Sequence, residues 1–560
     1  MMNTVWEDTK EFLEQKLYIL PLILTATLSY GFMAVTPTIG IDDTASERFF
    51  QEGLEPYMGR WVLFLINKVF SFAEFAPFIT EVLGVIFMII SVTLWCVAFK
   101  RILGNKIPIL GYTFFSCIFI SAPILSELFT YYTHNGIGMA YGLAAVGAIA
   151  FTEGMKGPVS KRWKSLIISA LFAATAAGCY ESMVIVYIMG IVMAYLFLCK
   201  EESGQHYDRR LLWWLFGGGI SVILLMLVRS LLIGIIKVVF QLEKNILVLP
   251  TRGISEAFQW VNGTKSMGEF TMVLKRFFLK YYINALQYFP ITMFVIAALI
   301  LVIYCCVQTI RYRKPVLLFC GCAILLIPWV MILIEAQVTP YRASQYIPLV
   351  CGFAVLLLAD MIQEMAKGRF FQPLWYVAVI WMTVCTFNQC TEMNKWFYVD
   401  HLKYEDAKNT MNTIAYELEN SYDIEKPIIF VGHYRVPDGM LRDAGLKLNA
   451  KEFWSIRACS DILDPHLKEK YYTASGYYKL AETPYLSVLN WGVSAFDRTN
   501  VELFQFLKMH GHEFRMETDL KRYEQAEKQA EDRNMPSWPE QGYIQDAGEY
   551  IIVKLGALKE

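Results

Sequence analysis

The sequence predicts a polytopic α-helical membrane protein of about eleven transmembrane helices, followed by a C-terminal extracytoplasmic α/β domain. Three observations predict it. Of 560 residues, 56% are hydrophobic and only 18% charged, against about 25% charged in an ordinary soluble domain. Apolar runs of membrane-crossing length recur from Leu17 to Phe387. Beyond that point the chain turns polar and aromatic, with no further run. The expected division is therefore 1–388 for the membrane part and 389–560 for the outer domain.

The runs that fit a crossing are Leu17–Val35, Phe78–Phe99, Ile107–Leu125, Ile137–Phe151, Leu166–Gly178, Met183–Cys199, Leu212–Ile236, Ile283–Gln308, Val316–Ile334, Ile347–Ile362 and Pro373–Phe387. Met1 to Lys16 is mixed-charge and helix-like, and no small-residue cleavage pattern follows the first run. That run therefore reads as a retained helix rather than a signal peptide.

Lysine and arginine in short loops stay on the cytoplasmic side. Five basic loops, around Lys100/Arg101/Lys106, Lys156/Lys161/Arg162/Lys164, Lys200/Arg209/Arg210, Arg311/Arg313/Lys314 and Lys367/Arg369, alternate with short segments whose one basic residue is Arg342. The amino terminus is accordingly expected inside and the C-terminal domain outside. Because Leu166 to Cys199 lies between two basic loops, it must cross an even number of times and turn near Gly178–Ser182. Leu166–Gly178 is short for a crossing, so a partly re-entrant hairpin is expected.

Two outer segments are long. Thr36 to Pro77 holds the acid pair of "GIDDTASERFF" and then "GRWVLFLINKVFSFAEF", an amphipathic stretch suited to a helix at the membrane interface. Lys237 to Tyr282 is basic, with Lys244, Arg252, Lys265, Lys275, Arg276 and Lys280, the last three expected to form a solvated or headgroup-facing stripe. In the outer domain a helix is expected over 404–420, a strand over 427–432, a charged helix over 520–534 and a final strand over 550–554.

A net charge of −1 argues against a nucleic-acid partner, which calls for a basic surplus. Ten of the twelve cysteines fall in or beside apolar runs, where they act as small hydrophobes, so no disulfide or metal framework follows.

The outer-face residues suggest a chemistry. Asp42 and Asp43 follow the first span directly; one acid suffices to cap a helix over 44–53, with Thr44 and Glu47 as a capping box, while a second carboxylate is available as a general base. Two acids can also hold a divalent cation or work without one. Arg342 runs against the positive-inside trend, and its guanidinium suits a phosphate or an ion pair with Glu335. Arg60 has the same choice, with stacking on Trp61 as the alternative. Glu181, beside Tyr180 at the inferred turn, is a site candidate by its depth. Tyr341 precedes Arg342, and His134 in "YYTHNGIG" has aromatic neighbours but no second ligand or base near it in sequence. Acids and cations at headgroup level fit group transfer from a lipid-phosphate donor, with its tail in the lipid bilayer, to a hydroxyl acceptor from outside.

The order of "GIDDTASERFF…GRW", "GCYES", "PYRASQY" and "NKWFYVDHLKYEDAKNTMNTIAYEL" resembles the bacterial GtrII-like membrane glucosyltransferases, of the GT-C class, over most of Leu17 to Glu419. The resemblance implies a GT-C-like fold and transfer of glucose or a related sugar from a polyprenyl-phosphate donor to a surface polysaccharide or its lipid-linked precursor. It also implies a catalytic role for Asp42 and Asp43 and a donor-phosphate role for Arg342 or Arg60. The competing class is a polysaccharide or lipid transporter, which predicts charges well inside spans and paired halves; Glu81, Arg229 and Asp360 are the chief intramembrane charges, and no halves repeat. A membrane O-acyltransferase would need a His or Ser nucleophile arrangement, which the seven histidines do not supply.

Overall fold

The computed structural model describes residues 2–45, 53–70, 76–201, 207–242, 266–278, 289–335, 341–365, 371–434, 488–491, 493 and 499–558. The chain is mostly helical. In order the helices are α1 (Met2–Glu14), α2 (Lys16–Val35), α3 (Ile41–Thr44), α4 (Leu54–Tyr57), α5 (Trp61–Phe70), α6 (Ile79–Leu103), α7 (Ile109–Ile120), α8 (Ser126–Phe129), α9 (Gly138–Lys156), α10 (Val159–Cys179), α11 (Met183–Glu201), α12 (Tyr207–Val239), α13 (Met267–Phe278), α14 (Phe289–Tyr312), α15 (Val316–Glu335), α16 (Tyr346–Met365), α17 (Phe371–Ser421), α18 (Val488–Trp491), α19 (Val501–Met509) and α20 (Leu520–Asp532).

Among the described residues eight helices are long and apolar enough to cross a membrane: α2, α6, α7 with α8, α9, α11, α12, α14 and α16. The other three expected spans also fall on helices, namely α10, α15 and the first part of α17. α10 is longer than its apolar run. Its 21 residues begin at Val159 and take in Lys161, Arg162 and Lys164. At 1.5 Å per residue that is about 31 Å. The expected turn is where the sequence puts it. Tyr180 leaves the helix in an extended conformation, and Ser169 on α10 meets Tyr187 on α11 at 2.7 Å, which requires the two helices to fold back on each other.

Sequence explains the other boundaries. α2 carries no charge beyond Lys16 and ends where Thr36 turns extended before Pro37, since proline disfavours a helical predecessor. α9 is lined by small residues that let its neighbours come close. A Cβ at Gly138 would sit 2.8 Å from the Gly84 carbonyl of α6, and one at Gly142 2.7 Å from Ser91 Oγ. Such small-residue seams are how helices pack where lipid removes the hydrophobic driving force.

Of the intramembrane charges, Asp360 is paired and Glu81 accepts a hydrogen bond from Thr80 Oγ1 at 2.9 Å. Lys200 binds Asp360 and also Glu364 at 2.7 Å, and Arg101 binds Asp8 at 2.6 Å and also Glu153. These pairs gather the expected basic loops at one end of the bundle. The expected outer loops meet at the other.

β1 (Ile428–Val431), β2 (Ile544–Asp546) and β3 (Ile551–Lys554) form a sheet of order β1-β3-β2. β1 runs parallel to β3 with Ile428 opposite Ile551, and β2 runs antiparallel to β3 with Ile544 opposite Val553. β1, β3 and α20 lie within about two residues of the sequence expectation. The three-residue β2 is too short to show alternation and escapes it. The helix expected over 404–420 is not separate: it is the distal part of α17, 51 residues long without interruption.

Ile39, in the linker after α2, belongs to the apolar core of this sheet unit, with Met411, Leu503, Phe506 and Val553. Asp400 on α17 accepts a 2.8 Å hydrogen bond from Thr130 Oγ1 after α8. Burial raises the Asp400 pKa, and Lys403 and Thr130 oppose the rise. The sheet unit is thus tied to the loops that carry the acid pair.

α5 forms where the amphipathic stretch predicts a helix. Trp61, Val62, Leu63, Phe64 and Ile66 are buried within the protein, Gly178 of α10 leaving room for Trp61 and Val62, while Val69 and Phe70 at the far end are exposed. Of the basic residues over 237–282, Lys275 and Arg276 lie on α13, whereas Lys244, Arg252, Lys265 and Lys280 lie outside the described residues.

Candidate functional site

The two acids have separate fates. Gly40 is the N-cap of α3, and Asp43 Oδ2 accepts the Gly40 N–H at 2.9 Å. Asp43 is buried to 1% exposure, and Tyr132 OH donates to its carbonyl. Capping by an acid therefore operates, but on α3, one turn earlier than a helix over 44–53; Thr44 Oγ1 bonds the Ile41 carbonyl instead, and Glu47 lies outside the described residues. Asp42 takes no part in this cap. Its side chain is 16% exposed and faces His134, Nε2 to Oδ2 4.0 Å.

His134 is 2% exposed and lies edge-on to Tyr131 at 5.3 Å and to Tyr180 at 6.4 Å between ring centres. The group missing near it in sequence is supplied in space by Asp42. Tyr180, extended at the α10–α11 turn, carries the Arg60 guanidinium over its ring at 4.7 Å. Arg60 therefore stacks on Tyr180 rather than on Trp61, because Trp61 is turned into α10.

Arg60 Nη1 also reaches Glu55 Oε1 at 3.4 Å, long for a charge-assisted bond. Glu55 was not expected at the site. It is buried to 1% exposure, and its second oxygen has no hydrogen-bond partner. Burial, with a contribution from Asp42, pushes its pKa up to about 7, against the pull of Arg60.

Arg342 opens onto the same space from the turn Tyr341–Ala343 before α16. Burial disfavours its charge, but Tyr180, Asp42, Tyr131 and Glu127 more than restore it and its pKa is raised. Arg60 behaves alike: burial opposes its charge, Glu55, Tyr180 and Glu181 outweigh that, and Arg342 repels it. Tyr341 starts the Arg342 turn; its side chain, like that of Glu335, lies outside the described residues.

Glu181, half-exposed, pairs with Arg229 of α12. This partner explains an arginine inside an apolar span, and it depends on Gly59. Gly59 has φ +88°, and a Cβ there would collide with the Arg229 guanidinium and lie 3.3 Å from Glu181 Oε1. Gly59→Ala is expected to strain the backbone and push Arg229 off Glu181, costing about 1–3 kcal/mol. The check is the thermal unfolding midpoint in detergent; an unchanged midpoint would show the turn to be loosely held.

The structure thus brings Asp42, His134, Arg60, Tyr180, Glu181 and Arg342 together from four separate loops, adds Glu55, and shows Asp43 capping the Gly40 N–H. Among the described residues no group of three or more His, Cys, Asp or Glu side chains is arranged to hold a metal ion.

No curated protein and no solved structure matches the chain significantly. Residues 31–359 match the sequence model of the family described as Glucosyl transferase GtrII, a range that holds every one of these site residues. The chain belongs to the GtrII glucosyltransferase family.

Proposed function

We propose that the protein moves a glucosyl group from a polyprenyl-phosphate donor to a hydroxyl of a surface polysaccharide, or of its lipid-linked precursor, at the outer face of a bacterial cell membrane. One observation carries this: two guanidiniums, Arg60 and Arg342, stand close enough to repel each other beside Tyr180 and an uncapped acid, Asp42. Mutually repelling cations in a part-buried site are stabilised by an anion between them, and a phosphodiester supplies one.

Asp42 then takes the proton of the acceptor hydroxyl as its oxygen bonds the anomeric carbon. The bond from that carbon to the phosphate oxygen breaks, and the charge of the released polyprenyl phosphate falls to Arg342 and Arg60. The sheet unit packs on Ile39 next to α3, which supports a role in presenting the acceptor.

Topology gives the test. Basic loops at the Lys100, Arg101 and Lys200 end put that end in the cytoplasm, so cysteines introduced at 42 and 342 are expected to react with an impermeant thiol reagent added outside intact cells. Reaction at either position only after the cells are opened would leave the site no prenyl-phosphate sugar to meet on the outer face and would overturn the reading.

A further inference from the structure

The search for a role not yet assigned ends at Glu55. It sits in α4, a single turn entered through Gly53 in the left-handed conformation, where Leu54, Glu55 and Pro56 are all buried. A carboxylate with only 1% exposure needs partners for both oxygens, because an unsatisfied buried acceptor costs about 1–3 kcal/mol and more if charged. Glu55 has one partner, Arg60 on Oε1, while Oε2 has none. The main chain does not explain the residue either: the Glu55 carbonyl already accepts the Arg60 N–H at 2.9 Å. The orphan oxygen is therefore a place for a hydroxyl or amide donor that the described residues do not provide.

The neighbours say which donor. Asp42 adds negative charge that acts on Glu55, which favours a neutral hydroxyl over a phosphate oxygen against Oε2. Arg60 lies directly beside it. If Arg60 holds the donor phosphate, the part of the donor next to Glu55 is the neutral sugar attached to that phosphate.

We propose that Glu55 is a specificity residue whose Oε2 accepts a hydrogen bond from one hydroxyl of the donor's glucosyl group, while Oε1 anchors the same carboxyl to Arg60. The assignment rests on the reading of the protein as a prenyl-phosphate glucosyltransferase. It extends that reading from the phosphate to the sugar. A site that hydrogen-bonds a substrate hydroxyl through a buried group rejects the analogue lacking it far more strongly than an apolar pocket would, because the buried group is then left bare.

The test uses the full-length enzyme in membrane vesicles and the variants Glu55→Gln and Glu55→Asp. In Glu55→Gln, Arg60 requires an acceptor and so fixes the amide oxygen on its own side; the nitrogen, a donor only, replaces Oε2. The fold is kept and the acceptor lost. Donors are polyprenyl-phosphate glucose and the monodeoxy analogue at each ring hydroxyl in turn. The wild type is expected to lose about tenfold to a hundredfold in kcat/KM with one of these analogues, and Glu55→Gln to show that same loss with the intact donor and no further loss with that one analogue. Glu55→Asp, one methylene shorter, is expected to fall between.

Glu55→Gln and Glu55→Asp both at wild-type kcat/KM would overturn the assignment. So would losses equal for every donor, since a merely structural role lowers all of them together. Absence of transfer by the wild type from any prenyl-phosphate sugar would overturn the underlying reading, and the role of Glu55 with it.

Discussion

Asp42→Asn is expected to lower sugar transfer by about 10² to 10⁴, the usual worth of a positioned general base, while Asp43→Asn leaves it within a few-fold of wild type. The contrast follows from how the pair is divided. Asparagine at 43 still offers an oxygen to the Gly40 N–H, which is what Asp43 provides at 2.9 Å, so α3 keeps its cap and the cost in stability stays under about 1 kcal/mol. Asparagine at 42 keeps the shape and loses the proton acceptor. The measurement is the rate of glucose incorporation into polysaccharide in vesicles, with protein levels matched. Equal activity of Asp42→Asn and wild type would remove Asp42 as the base, and a dead Asp43→Asn would give the role to the capped acid instead.

Arg342→Ala is expected to raise the donor KM about tenfold to a hundredfold, the loss of a charge-assisted contact worth about 1.5–3 kcal/mol, with little change in acceptor KM. Arg342→Lys should recover only part of this, because an ammonium restores the charge without the planar fork that meets two phosphate oxygens. The acids around Arg342 sharpen the expectation: Asp42 and Glu127 already favour its charge, so removing it leaves carboxylates facing the incoming phosphate. An unchanged donor KM in Arg342→Ala would transfer the phosphate role to Arg60 alone.

Much of the bundle is legible in the sequence, because crossing a bilayer is a statement about length and apolarity along the chain. The turn at Gly178–Ser182 could be inferred from charge alone. Asp42, Arg60, Tyr180, Glu181, His134 and Arg342 could be singled out for the same reason: each is a polar residue at the end of an apolar run. Glu55 could not. It lies mid-loop among ordinary neighbours in "QEGLEPYMG", and only its burial and its half-satisfied carboxyl distinguish it, both products of packing between distant segments. That Asp43 caps α3 and Asp42 does not is hidden likewise, since it depends on where α3 starts. β2 and the unbroken course of α17 show a related limit: local pattern does not report a partner strand or the absence of a hinge.

That unbroken course has a mechanical consequence. Fifty-one residues of helix make a shaft about 75 Å long, and any rotation at its inner end is delivered to the sheet unit at the other. One residue inserted between Phe397 and Tyr404 would swing the distal unit by about 100° and lift it by about 1.5 Å, carrying its apolar core away from Ile39; four residues would bring it nearly back into phase. The distance between the sheet unit and Asp42 is thus set as a ruler sets it, by helical pitch.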